Sequence, residues 1–110
     1  MKSRFLVRSE HLNHQGHLFG GDLMAEIDNI GFCLVRDRYR DKTFVTRAAE
    51  IEFEHPARIG DIITFEATLV REGTTSVQVQ VTGMVDDVPI SSARLVYVNV
   101  GPDGRKQPIK

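Results

Sequence analysis

The run Asn13-His14-Gln15-Gly16-His17-Leu18-Phe19-Gly20-Gly21 leads straight into a segment with helical spacing of apolar residues, and that segment carries an acid, Asp28. A glycine pair at a helix start leaves backbone N–H groups without intrahelical partners, at the positive end of the helix dipole. Such donors polarise a carbonyl and hold the negative oxygen that develops when it is attacked. A carboxylate two turns further on supplies the other half of the chemistry, because it can activate a water or attack the carbonyl itself. At about 100° per residue, Ile27, Ile30 and Leu34 fall within roughly 40° of Leu23. Asp22, Glu26 and Asn29 lie on the opposite arc, whereas Asp28 comes out near 140°, roughly between Val35 and Phe32 on the flank of the apolar face. Removing water from a carboxylate is costly, so an acid in that position is usually partnered or functional. A structural hydrogen bond and a catalytic role both fit the wheel.

His11, His14 and His17 recur at three-residue intervals, so a loop could fold them around zinc with Asp22 as a fourth ligand. No cysteine pair or second ligand cluster supports that arrangement. The expectation is that no metal binds and that these histidines border a substrate entrance.

The remaining composition narrows the choice. A chain of 110 residues supports one domain with one core, here 1–110, with a C-terminal tail from about residue 102. A formal charge of −1 with interspersed acids and bases offers no basic stripe, which argues against nucleic acid as a partner. The one concentration of charge, Arg36-Asp37-Arg38-Tyr39-Arg40-Asp41, reads as a solvated helix end whose arginines suit the negative end of the dipole. Cys33 is the single cysteine, so no internal disulfide forms. A packing role for it and a reducing compartment are expected. The apolar stretch near the start, Phe5-Leu6-Val7, is too short for a signal peptide, and no run approaches membrane-spanning length. The expected location is the cytoplasm, with no membrane partner.

The elements that must position Asp28 follow from periodicity. Phe5 to Val7 predicts a short first strand, and the helix is expected from about Gly21 to Arg40. After Lys42 the period becomes two. Strands are expected over Thr43–Glu54, around Ile63–Leu69, around Val77–Thr82 and over Pro89–Val100, with turns at Ile59-Gly60-Asp61, Glu72-Gly73 and Asp86-Asp87. Short turns predict antiparallel neighbours, so an α+β sheet of five strands must curl around the one helix. One helix covers only part of such a sheet, and the uncovered part predicts a second subunit.

Asn13-x-x-Gly16-x-x-Phe19-Gly20-Gly21-x-Leu23-Met24-x-x-Ile27-Asp28 resembles the signature of hotdog-fold acyl-CoA thioesterases of the YciA and cytosolic acyl-CoA hydrolase type. Phe53-x-x-Pro56-x-x-x-Gly60-Asp61, Gly73-x-Thr75-Ser76 and Tyr97-Val98 extend the likeness over nearly the whole chain. The resemblance implies a curved antiparallel sheet around a central helix, and protomers joined edge to edge by their sheets into homodimers that often assemble as trimers of dimers. It implies hydrolysis of acyl-CoA to free acid and coenzyme A, without a cofactor. Asp28 would be the general base or nucleophile, Asn13 of the other subunit would position water or carbonyl, and the Gly20 and Gly21 amides would form the oxyanion hole. His17, Phe19, Met24 and Phe32 would border the substrate, and Phe32 stands where many relatives carry smaller residues near the acyl end. Arg71, Thr75 and Ser76 would lie along the pantetheine and nucleotide. Two alternatives remain: a hotdog dehydratase or hydratase, whose loop pattern differs, and a non-catalytic acyl-CoA-binding module.

Overall fold

The computed structural model describes all 110 residues. Strand β1 spans Lys2–Leu6, followed by a single 3-10 turn at Ser9–His11 and the helix α1, Gly20–Arg38. Strands β2 (Phe44–Phe53), β3 (Ile62–Glu72), β4 (Ser76–Val85) and β5 (Val88–Asn99) complete one antiparallel sheet. The helix packs across β2, β3, β4 and β5, which gives the expected α+β arrangement of five strands and one central helix.

Burial explains the choice of faces. Leu23, Ile27, Ile30 and Val35 are buried on the helix, and Ile63, Phe65, Ala67, Val77, Val79, Val81, Ala93, Leu95 and Tyr97 on the sheet. At roughly 1.5–3 kcal/mol per large apolar side chain, this seam fixes helix to sheet firmly enough to set the direction of every helical side chain. Cys33, expected to pack, is exposed. Ten residues beyond Leu23, it lies on the arc opposite the buried stripe. The first strand begins earlier than expected, at Lys2, because an edge strand tolerates outward charges and Lys2 lies opposite Glu66, with which it pairs at 3.5 Å. The helix ends two residues early, where Tyr39 leaves helical geometry and its hydroxyl bonds to Glu72.

The strand order is β1-β3-β4-β5-β2, so β2 and β3, expected to be neighbours, stand on opposite sides of the sheet. His55-Pro56 breaks the ladder after Phe53, and residues 54–61 form a connection too long for a tight hairpin. This connection crosses to the far side of the sheet. Val7 accepts from Gly60 at 2.9 Å, and Leu18 donates to Ala57 at 2.8 Å, which ties the crossing to β1 and to the loop before the helix. Strand β2 is therefore a free edge.

A β-bulge at Arg47 matters more than the boundaries. With strict alternation, Phe44 and Thr46 facing the helix would bring Glu50 and Glu52 inward as well. The register shift between Thr46 and Ala48 reverses the parity, so Ile51 and Phe53 share the helix side with Phe44 and Thr46.

Residues 101–110 are not a loose tail. Val100 bridges to Lys106, the buried Asn99 amide donates to the carbonyls of Gln107 and Pro108 at 3.1 and 3.2 Å, and Ile109 joins the core.

Candidate active site

Asp28 is half-buried in the middle of α1, and two hydroxyls hold one of its oxygens. Thr46 Oγ1 and Tyr97 Oη each lie 3.1 Å from Asp28 Oδ1. The Tyr97 hydroxyl also lies 3.2 Å from the Asp28 carbonyl oxygen. Tyr97 is fully buried, and its ring meets Phe32 edge to face at 5.6 Å. Burial, then the charge of Asp28, pushes the Tyr97 hydroxyl far above the usual phenol range, so it remains a donor at neutral pH. The chain also makes room for it: a Cβ on Gly31 would collide with that hydroxyl. Asp28 Oδ2 makes no hydrogen bond within the chain and is free for other work. Met24 and Phe32, one turn to either side, are exposed.

The second group of residues sits at the start of the helix. Asn13 Oδ1 accepts from the Gln15 and His17 N–H groups at 2.9 and 3.1 Å, which folds the loop around it. Its side-chain amide nitrogen has no partner in the chain, so it can still donate outward. Phe19 is the N-cap and makes no side-chain cap, and the N–H groups of Gly20 and Gly21 donate to nothing within the chain. A Cβ at Gly21 would stand 2.5 Å from the exposed Phe19 ring, which would have to swing aside, whereas one at Gly20 would make ordinary 3.7 Å contact with Phe53. Asn13, His17 and Gly20 border a half-open cavity of about 350 Å³ with Phe53 and His55 on its far wall. The His55 Nδ1 is 2.8 Å from the Pro89 carbonyl, which orients the ring.

These two groups do not meet within one chain. Gly20 and Asp28 are eight residues apart on one helix, a rise of about 12 Å. Both border the uncovered side next to β2, where Phe53 is also exposed. Arg71, Thr75 and Ser76 lie elsewhere, around the β3–β4 turn near the helix C-terminus, in a cleft of about 210 Å³ lined by polar residues and Gly73. The zinc arrangement does not form: no three His, Cys, Asp or Glu side chains are grouped to hold an ion. His11 instead stacks against Phe5 and accepts from the Arg8 N–H.

The fold is that of thioester-cleaving enzymes. Residues 15–90 match the model of the Thioesterase superfamily, and the chain belongs to that superfamily. It is 30% identical over 115 residues to the acyl-CoA thioester hydrolase YciA of Salmonella typhimurium, covering 96% of this chain and 86% of the relative. Among solved structures it is similar to a hexameric hotdog fold thioesterase of Campylobacter jejuni, with TM-score 0.85 and 30% identity over 98% of this chain and 88% of the other. An acyl-CoA hydrolase from Staphylococcus aureus, solved with butyryl coenzyme A, coenzyme A and coenzyme A disulfide, aligns with TM-score 0.88 and 27% identity over 98% and 70%. The staphylococcal enzyme has also been solved as an aspartate-to-alanine and as a threonine-to-alanine variant.

Thr46, Tyr97 and His55 border the candidate site without having been assigned roles from sequence. Tyr97 had a signal, a tyrosine in the apolar period of β5 whose hydroxyl needs a partner. Thr46 had none, because the bulge that aims it depends on pairing with β5.

Proposed function

We propose that the protein hydrolyses acyl-CoA thioesters to free acid and coenzyme A at sites shared between two subunits. One observation carries this reading: the free amides and the acid of one helix stand about 12 Å apart, and both border the unpaired β2 edge. A thioester carbonyl is far smaller than that gap. Pairing two β2 edges antiparallel would bring the helix start of one subunit, with Asn13, towards Asp28 of the other. The exposed Met24, Phe32 and Phe53 support burial of this side in a dimer. The names of the relatives support an acyl-CoA substrate, and the hexameric Campylobacter relative supports further assembly into a trimer of dimers.

The chemistry needs no cofactor. The Gly20 and Gly21 amides bind the carbonyl oxygen, and Asn13 Nδ2 donates to the water or to that oxygen. Asp28, with Oδ1 held by Thr46 and Tyr97, uses Oδ2 to take a proton from water as its oxygen adds to the carbonyl carbon. Collapse of the tetrahedral intermediate breaks the C–S bond. The sulfur leaves with the proton that Asp28 took from water, as coenzyme A, and the acyl group departs as the acid. Direct attack by Oδ2 uses the same geometry: it breaks the C–S bond to give a mixed anhydride, and water then cleaves the anhydride, restoring the Asp28 carboxylate, releasing the acid and supplying the proton that coenzyme A takes up. His17 and Phe19 border the carbonyl, Met24 and Phe32 the acyl chain, and Arg71, Thr75 and Ser76 receive the carrier's nucleotide end. An exposed, unpaired Cys33 suits a reducing cytoplasm.

Asp28→Asn tests the assignment. Thiol release from butyryl-CoA should fall by about 10²–10⁴-fold with the melting temperature retained. Turnover close to the parent's in a folded variant contradicts it.

A further inference from the structure

Residues 101–110 turn back at Gly104, where φ is 79°, and run beside the ends of β5 and the β3–β4 turn. Gln107 N–H donates to Asn99 at 2.9 Å and Ile109 N–H to the Thr74 carbonyl at 2.8 Å, while the Ile109 side chain is buried in the core. The residue after this anchor is thereby placed against the turn. Lys110 Nζ stands 3.1 Å from Glu72 Oε2, and the other Glu72 oxygen accepts from Tyr39 at 2.5 Å. The bulge at Val70 puts Glu72 on the helix side, where it can make both contacts, and leaves Arg71 outside.

Arg71 forms no ion pair, and it walls two adjoining clefts. One is the cleft of about 210 Å³ with Thr75 and Ser76; the other, about 470 Å³, has Lys110 and Glu72 on its opposite side. No apolar side chain lines either cleft, so an acyl chain gains nothing there. The groups present are donors: two cations, threonine and serine hydroxyls, and Thr74 and Thr75 N–H groups with no acceptor in the chain. Among the side chains, two cations face a single acid. The turn also lies at the Asp28 end of the fold, since Ser76 precedes Val77, the β4 partner of Tyr97.

We propose that Lys110 is a second phosphate-binding cation, facing Arg71 across the β3–β4 turn, and that residues 101–110 are the arm that holds it there. Its ligand is the phosphate-bearing part of the acyl carrier, so the inference rests on the acyl-CoA reading and specifies how that reading's substrate is recognised. Ile109 and Glu72 are positioning residues: the first fixes the backbone, the second holds the lysine ammonium beside the turn. Lys110 binds substrate and takes no part in bond breaking.

The experiment compares two substrates, butyryl-CoA and the butyryl thioester of N-acetylcysteamine, which keeps the thioester and lacks every phosphate. Lys110→Ala should raise KM for butyryl-CoA by up to about fivefold, the range of an exposed ionic contact, with kcat unchanged. Lys110→Glu should raise it further, Lys110→Arg should restore it, and Lys106→Ala on the same arm should leave it unchanged. All four should handle the phosphate-free ester as the parent does. An equal loss on both esters, an effect of Lys106→Ala matching that of Lys110→Ala, or an unchanged KM for butyryl-CoA would overturn the proposal. Parent turnover of the phosphate-free ester reports on thioester hydrolysis separately; a parent inactive on both esters would refute that reading, and this one with it.

Discussion

Thr46→Val and Tyr97→Phe each remove one hydroxyl from the same carboxylate oxygen, and their different burial separates catalysis from stability. Thr46 lies on an exposed edge strand, so valine of nearly equal shape should change stability by less than about 0.5 kcal/mol. Tyr97 is fully buried, and its bond to a charged acceptor is worth about 1.5–3 kcal/mol. With an unfolding entropy of about 2.1 cal/mol/K per residue, a loss of 2 kcal/mol lowers the melting temperature of a domain this size by roughly 9 °C. Activity should behave differently. Either change frees the carboxyl to rotate away from the water, and a misplacement of that kind costs up to about 10²-fold. The loss should fall on kcat, because neither hydroxyl touches substrate. With one donor left, Asp28 keeps part of its orientation, so the double variant should lose more than the product of the two single effects. Steady-state thiol release and thermal melts on the four proteins give the answer. Parent-like kcat in Thr46→Val together with parent-like kcat in Tyr97→Phe would refute the idea that these hydroxyls aim the catalytic oxygen.

Two other outcomes follow from the same geometry. Both tyrosines are pushed above the usual phenol range, Tyr39 by burial and then by Glu72, Tyr97 by burial and then by Asp28. A folded-state value above the unfolded one means that the stabilisation is present below about pH 10 and is lost as pH rises past it; the buried Tyr97 should therefore ionise only with unfolding, and reversible titration of both tyrosines near pH 10 in the folded protein would contradict it. Val45→Glu and Phe53→Glu put charge on the free β2 edge; both should sediment as monomers where the parent is oligomeric and lose activity in proportion, whereas active monomers would contradict a shared site.

Much of the fold was legible because apolar periodicity and turn residues are local signals. The period-3.6 stripe of Leu23, Ile27 and Ile30, the alternation of Val77, Val79 and Val81, and the ladder break at His55-Pro56 each specify their element within a few residues. The position of Asp28 on the flank of the stripe was likewise computable from the wheel, and the same wheel sets Cys33 on the outer arc, against the packing role expected of it. Pairing over long sequence distances was not legible. That β2 sits beside β5 rather than β3 depends on a crossover whose length alone is visible in the chain. The bulge at Arg47 exists only through pairing with β5, and it decides that Thr46 meets Asp28. The same holds for the arm, where a single buried Ile109 turns an apparent tail into a wall of the turn cleft.

The most direct measurement mixes two defective proteins. Asp28→Asn removes the acid, and Asn13→Asp keeps the oxygen that folds the loop while losing the amide donor. After unfolding and refolding together in equal amounts, half the dimers are mixed and each mixed dimer has one complete site, so thiol release should recover to about one quarter of the parent value. A mixture as inactive as its two components, with mixed dimers demonstrably formed, would mean that Asn13 and Asp28 act within one subunit or not at all.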